Sequence, residues 1–86
     1  MSELIIDEHA LKHGLDPGDI AHAWHYFVAK AYRGAPNEGE WIAVGYDAKG
    51  RFVEMVGAER PFGTVVFHAM TPPTRNALRE LGIDGG

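Results

Sequence analysis

Two apolar segments, Glu40 to Asp47 and Arg51 to Ala58, are separated only by Ala48-Lys49-Gly50. A connection this short fits a three-residue hairpin loop, with Gly50 supplying the left-handed conformation that closes it. A third segment, Thr64 to Met70, follows after Glu59-Arg60-Pro61-Phe62-Gly63 and extends the hairpin into a meander. The turn pairs Tyr46 with Phe52, Val44 with Glu54, Ile42 with Val56 and Trp41 with Gly57. One face then holds Tyr46, Val44, Ile42, Phe52 and Val56, with Glu54 among them. The other holds Trp41, Ala43, Val53 and Met55. Both faces are largely apolar, so each must be covered by another element or offered to a partner. Asp47 and Arg51 flank the turn as a pair of opposite charge.

The rest of the chain supplies the cover. Leu4-Ile5-Ile6 reads as a short strand, and Asp7 as the cap of a helix running from Glu8 to His13, stopped by Gly14. Leu15 to Tyr26 carries the clearest helical signature. Asp16 suits the N-cap and Pro17 the first position, with Leu15 and Ile20 as a hydrophobic staple. Ile20, Ala23, Trp24 and Phe27 recur at helical spacing. Val28 to Arg33 reads as a strand and Gly34 to Gly39 as a loop. A last helix opens with Thr71 as cap and Pro72 at its first position, lays down Ala77, Leu78 and Leu81, and ends at Gly82. Ile83-Asp84-Gly85-Gly86 reads as a frayed end. The fold class is therefore α+β: an antiparallel meander with two N-terminal helices and one C-terminal helix.

Eighty-six residues make one domain with a modest core. There is no Cys, so stability comes from packing rather than from disulfides or thiolate-bound metal. A net charge of −4 argues against broad, phosphate-driven binding of nucleic acid but leaves room for a small site. No apolar run reaches the length of a membrane span, and the opening Met1 to Asp7 is too short and acidic for a signal peptide. The expected compartment is the cytoplasm.

Lys12-His13-Gly14-Leu15, the Asp16-Pro17 helix start, Gly39-Glu40-Trp41-Ile42-Ala43-Val44-Gly45, Gly50-Arg51-Phe52-Val53-Glu54-Met55-Val56 and Ala58-Glu59-Arg60 together resemble the BrnT family of bacterial toxins. These short motifs span most of residues 5–81. The resemblance implies a RelE-like fold, ribosome-independent cleavage of RNA, and neutralisation by a small BrnA-type antitoxin. It also implies that Lys12 and His13 stand where the family has its Lys-His pair, and that Glu40 and Arg51 occupy family positions at the two ends of the sheet. Where family members carry Ser-Ala-Arg-Arg on the last strand, this chain has His68-Ala69-Met70-Thr71.

Cleaving RNA without a metal takes a base for the 2′-OH proton, a cation for the phosphorane and an acid for the leaving oxygen. Lys12 suits the cation, and His13 the acid or base; equally, His13 suits the negative end of a helix dipole. His68 interrupts an apolar strand. A five-residue turn over Glu59 to Gly63 sets it opposite Glu54, giving either a catalytic imidazole–carboxylate pair or a buried structural one. Arg75 and Arg79, four apart on the last helix, complete a phosphate site or simply solvate a helix face. His9 and His13, and more weakly His22 and His25, have two-ligand spacing without a third ligand nearby, so neither a metal nor another cofactor is expected. The competing reading is a non-catalytic module, or an inactive toxin homologue, that binds a protein, or a second copy as a homodimer, through an uncovered sheet face.

Overall fold

The computed structural model describes residues 3–83; the expected fraying at Asp84 to Gly86 lies outside them. Five strands form one sheet: β1 (Glu3–Ile6), β2 (Phe27–Tyr32), β3 (Glu40–Tyr46), β4 (Phe52–Arg60) and β5 (Gly63–Met70). Their order across the sheet is β1-β5-β4-β3-β2. Two short helices accompany them, α1 (Pro17–His25) and α2 (Arg75–Glu80), with a 3-10 turn at Glu8–Leu11.

The hairpin follows the register set by its turn, from Tyr46 opposite Phe52 to Trp41 opposite Gly57. Gly50 takes a φ of 81° and donates its amide to the Asp47 carbonyl at 3.0 Å. Asp16 caps α1 by accepting from the Asp19 amide at 2.8 Å, and the staple residues Leu15 and Ile20 are both buried.

Four expectations are corrected. The sheet is mixed rather than an antiparallel meander, because β1 runs parallel to β5 along Glu3–Gly63 to Ile6–Val66. A four-residue apolar run specifies neither its partner nor its direction, so the sequence could not assign this edge. There are not two N-terminal helices: the segment from Glu8 makes only one 3-10 turn, although Asp7 caps it through the His9 amide at 2.9 Å. A cap at one end and a Gly stop at the other mark where so short a segment begins and ends but not whether it winds as α or 3-10, and 3-10 geometry is common in pieces of this length. The stripe from Ile20 ends early as well, since α1 stops at His25 and Phe27 opens β2. Finally, α2 is capped by Thr74, whose hydroxyl accepts from the Ala77 amide at 3.1 Å. Pro73 bars helical geometry at Pro72, which delays the start by three residues.

The two faces carry separate cores. On one, α1 and the 3-10 turn cover Trp41, Ala43, Val53, Met55, Val66 and Ala69. On the other, Ala77 of α2 sits over Ile42 and Val56, with Phe67 and Leu81 at the margin. At Gly57 an added Cβ would lie 2.2 Å from the Val65 carbonyl oxygen and 2.4 Å from the Trp41 ring, so the sheet closes on Trp41 only because that position lacks a side chain.

A candidate acid–base site on the α2 face of the sheet

The β4–β5 connection decides where the chemistry lies. Arg60 pairs with Gly63 across a two-residue turn at Pro61-Phe62, tighter than the five-residue loop that the composition suggests. Farther along, Gly57 pairs with Val66 but Val56 with His68, so Phe67 is the extra residue of a β-bulge. His68 therefore faces Val56 rather than Glu54, which corrects the expected register. The bulge still leaves His68 and Glu54 diagonal on one face, and His68 Nε2 lies 2.8 Å from Glu54 Oε2.

Glu54 is 6 % exposed and fully engaged. Its Oε1 accepts from the Thr74 amide at 2.8 Å and from the Thr74 hydroxyl at 2.9 Å. The residue that caps α2 thus also ties the helix to the sheet. Burial pushes the Glu54 carboxyl up, but the bonds from His68 and Thr74, together with the charge of His68, outweigh it and hold the group below the ordinary glutamate value.

His13, carried just past the 3-10 turn, meets His68 edge to face with ring centroids 5.8 Å apart. Lys12 is exposed beside it. Three of the residues singled out in the sequence, His13, Glu54 and His68, therefore gather at one place from three separate elements, with Lys12 adjoining His13 in the chain.

The other four do not join them. Glu40 lies at the start of β3 and holds Arg33 Nη1 at 3.3 Å. Arg51 lies at the far end of the same strand pair, roughly 20 Å from Glu40 at the ordinary rise of a strand. There its Nε donates to Asp47 Oδ2 at 2.7 Å and its Nη2 to Asp19 Oδ2 at 3.2 Å. Arg75 is exposed on α2, and Arg79 donates to Asn76 at 3.3 Å. The cation that does border the site is Arg33, which the sequence reading passed over. Its Nε and Nη2 fork onto Glu80 at 2.9 and 3.3 Å. The bonds to Glu80, against burial and with the charges of Glu80 and Glu40, raise its already high pKa. The available signal was weak: one Arg after a strand and one Glu near the end of a helix, 47 residues apart.

Arg33, Glu80, Glu54, His68, Thr74 and Asn76 rim a cleft of about 370 Å³ whose floor is Ile42, Val56, Phe67 and Ala77. Among the described residues no group of three His, Asp or Glu side chains is disposed to hold a metal ion. His9 instead pairs with Asp7 at 2.7 Å, and His22 with the Tyr46 carbonyl at 2.8 Å. No helix of the described residues is long and apolar enough to cross a membrane.

No family model, curated protein or solved structure matches this chain.

Proposed function

We propose that this chain is the toxin half of a toxin–antitoxin pair, an endoribonuclease that cleaves RNA by acid–base chemistry without a metal. The observation that carries the reading is the pairing of His13 with His68 at 5.8 Å, with buried Glu54 behind His68. The BrnT-like motifs support it, and they make a BrnA-type antitoxin the proposed protein partner and the cytoplasm the proposed compartment.

The chemistry follows from the hydrogen bonds. Ionised Glu54 can only accept, so His68 Nε2 carries the shared proton and Nδ1 keeps its lone pair. Nδ1 removes the proton from a ribose 2′-OH, and the 2′-oxygen attacks phosphorus. The bond from phosphorus to the 5′-oxygen breaks, and His13, as imidazolium, gives its proton to that leaving oxygen. The products are a 2′,3′-cyclic phosphate and a free 5′-OH. Lys12 neutralises charge gathering on the phosphorane.

Incubating the purified protein with total RNA, with and without EDTA, tests the proposal. Cleavage that persists in EDTA and leaves 2′,3′-cyclic phosphate ends is the expected result; intact RNA, or cleavage that EDTA stops, contradicts it.

A second reading rests on its own observation. β2 is an edge strand, and Phe27, Val28 and Tyr32 along it, with Tyr26 just before it, are 45–67 % exposed. A non-catalytic protein-binding module, including a homodimer, would use such an edge. It predicts harmless expression and a stable complex, where the first reading predicts growth arrest.

A further inference from the structure

A second cleft, of about 290 Å³, opens on the α1 face of the sheet, where Leu4 and Trp24 border the core. It shares no residue with the cleft beside His68. Its rim carries both signs of charge. Lys30 comes from β2 and Glu59 from β4, with β3 between the two strands. Among the described residues each is held by neutral groups rather than by the other. Lys30 Nζ donates to the Tyr32 hydroxyl at 3.2 Å and lies 5.0 Å from the centre of the Trp24 ring. Glu59 accepts from the buried Thr64 hydroxyl, at 3.0 and 3.2 Å. We propose that this cleft binds a free amino acid with an apolar side chain, its α-carboxylate on Lys30 and its α-ammonium on Glu59. The inference goes beyond the acid–base reading of His13 and His68 and does not rest on it.

Both charges are placed before a ligand arrives, so little order is lost on binding. The rings of Trp24, Phe27 and Tyr32 surround the Lys30 ammonium at 5.0, 5.8 and 4.7 Å. One of its three N–H donors goes to Tyr32, and two remain for a carboxylate. Thr64 has a single hydroxyl proton, shared between the two Glu59 oxygens, so an outward lone pair stays free on each. One of these suffices for an ammonium, a point donor with no planar fork to match. Glu3 stands on the same rim with His25, and its second carboxylate disfavours a ligand that brings negative charge alone. Leu4 and Trp24 supply an apolar wall for the side chain. The volume lies at the small end of ligand pockets and suits one amino acid rather than a nucleotide.

Trp24 and Trp41, the two tryptophans of the chain, stack with ring centroids 4.5 Å apart, so their emission reports a ligand laid against Trp24. The test titrates the protein with L-leucine, glycine, L-leucinamide and N-acetyl-L-leucine, with calorimetry alongside. L-leucine should bind more tightly than L-leucinamide, which lacks the carboxylate, and than N-acetyl-L-leucine, which lacks the ammonium, by roughly 10-fold or more in each case. Glycine should bind more weakly for want of a side chain. Lys30→Met keeps the stem among the rings and should erase the advantage over L-leucinamide alone. Glu59→Gln keeps an acceptor for Thr64 and should erase the advantage over N-acetyl-L-leucine alone. Absence of L-leucine binding, or L-leucinamide or glycine binding as tightly, overturns the proposal. So does either advantage surviving in its matching variant with the amide spectrum intact. The four ligands on the wild-type chain decide the matter even if a variant fails to fold. RNA left intact beside tight L-leucine binding would overturn the nuclease and uphold this site.

Discussion

Two carboxylates, Asp47 at the hairpin turn and Glu54 on β4, are buried and fully hydrogen-bonded, yet their partners differ in kind. Asp47, 2 % exposed, is satisfied within its own turn: Oδ1 accepts from the Lys49 and Arg51 amides at 2.9 and 2.8 Å, and Oδ2 from Arg51 Nε at 2.7 Å. Asp19 and Lys49 extend that network onto α1, with Lys49 Nζ 3.0 Å from Asp19. Every charge there has an opposite neighbour, and the result is a closed corner. Glu54 draws its partners from β5 and the start of α2, and one of them, His68, keeps a second ring nitrogen for other work. Burial and a depressed pKa are common to both; only Glu54 has an imidazole among its partners, and in the proposed mechanism that imidazole moves the proton.

Asp47→Ala strips three hydrogen bonds and leaves Arg51 facing Asp19 alone, so unfolding in urea should show a loss of about 3 kcal/mol. RNA cleavage per folded molecule should not change; a parallel loss would mean that the hairpin corner belongs to the site. Gly57→Ala forces a methyl onto Trp41 and the Val65 carbonyl, and should cost about 1–3 kcal/mol by the same measurement, again without a specific effect on cleavage.

Glu54→Gln sharpens the contrast. The amide keeps an acceptor for Thr74 but no longer forces the proton onto His68 Nε2, so stability should fall by only about 1–2 kcal/mol. Cleavage should fall further, about 10-fold or more, and its pH profile should shift. A variant that loses stability but keeps its rate and pH profile would make Glu54 a structural twin of Asp47.

Acid probes both groups at once. Burial raises the Asp47 carboxyl, but its backbone and side-chain bonds lower it more, and Glu54 likewise ends below its ordinary value. A folded pKa below the unfolded one contributes stability that is complete above the unfolded value, about 3.9 for Asp and 4.3 for Glu. That stability drains away as pH falls through the lower folded values. Melting temperature should therefore hold from pH 7 to about 5 and drop below about 4; a flat profile down to pH 3 would contradict both assignments. The smallest effect belongs to Arg75→Ala, within about 0.5 kcal/mol on stability, since the side chain is exposed on α2.

What the sequence made legible follows from the range of the interactions. The Ala48-Lys49-Gly50 turn, its register and the Asp47–Arg51 pair depend on neighbours in the chain, and so does the Asp16-Pro17 helix start. The parallel edge of β1 depends on a partner some 60 residues away and left no mark in Leu4-Ile5-Ile6. The Glu54–His68 contact was legible as a neighbourhood but not as a register, because one bulge residue, Phe67, shifts the pairing without any Gly or Pro of its own to betray it. Of the eight candidate site residues, the histidines and Glu54 stood out because they interrupt apolar segments or flank a turn. Arg51 looked equally promising only because its second partner, Asp19, lies on a helix 32 residues earlier. Thr74, Arg33 and Glu80 were hidden for the same reason: each matters through a contact with a distant element.

The most direct measurement is the rate of RNA cleavage in EDTA at neutral pH by the wild-type chain and by His68→Ala, scored per folded molecule. The account predicts a loss of at least about 100-fold in the variant, the rate per folded molecule separating it from any stability lost with the Glu54 bond. Equal rates in the two proteins would contradict the claim that the imidazole held by Glu54 does the chemistry.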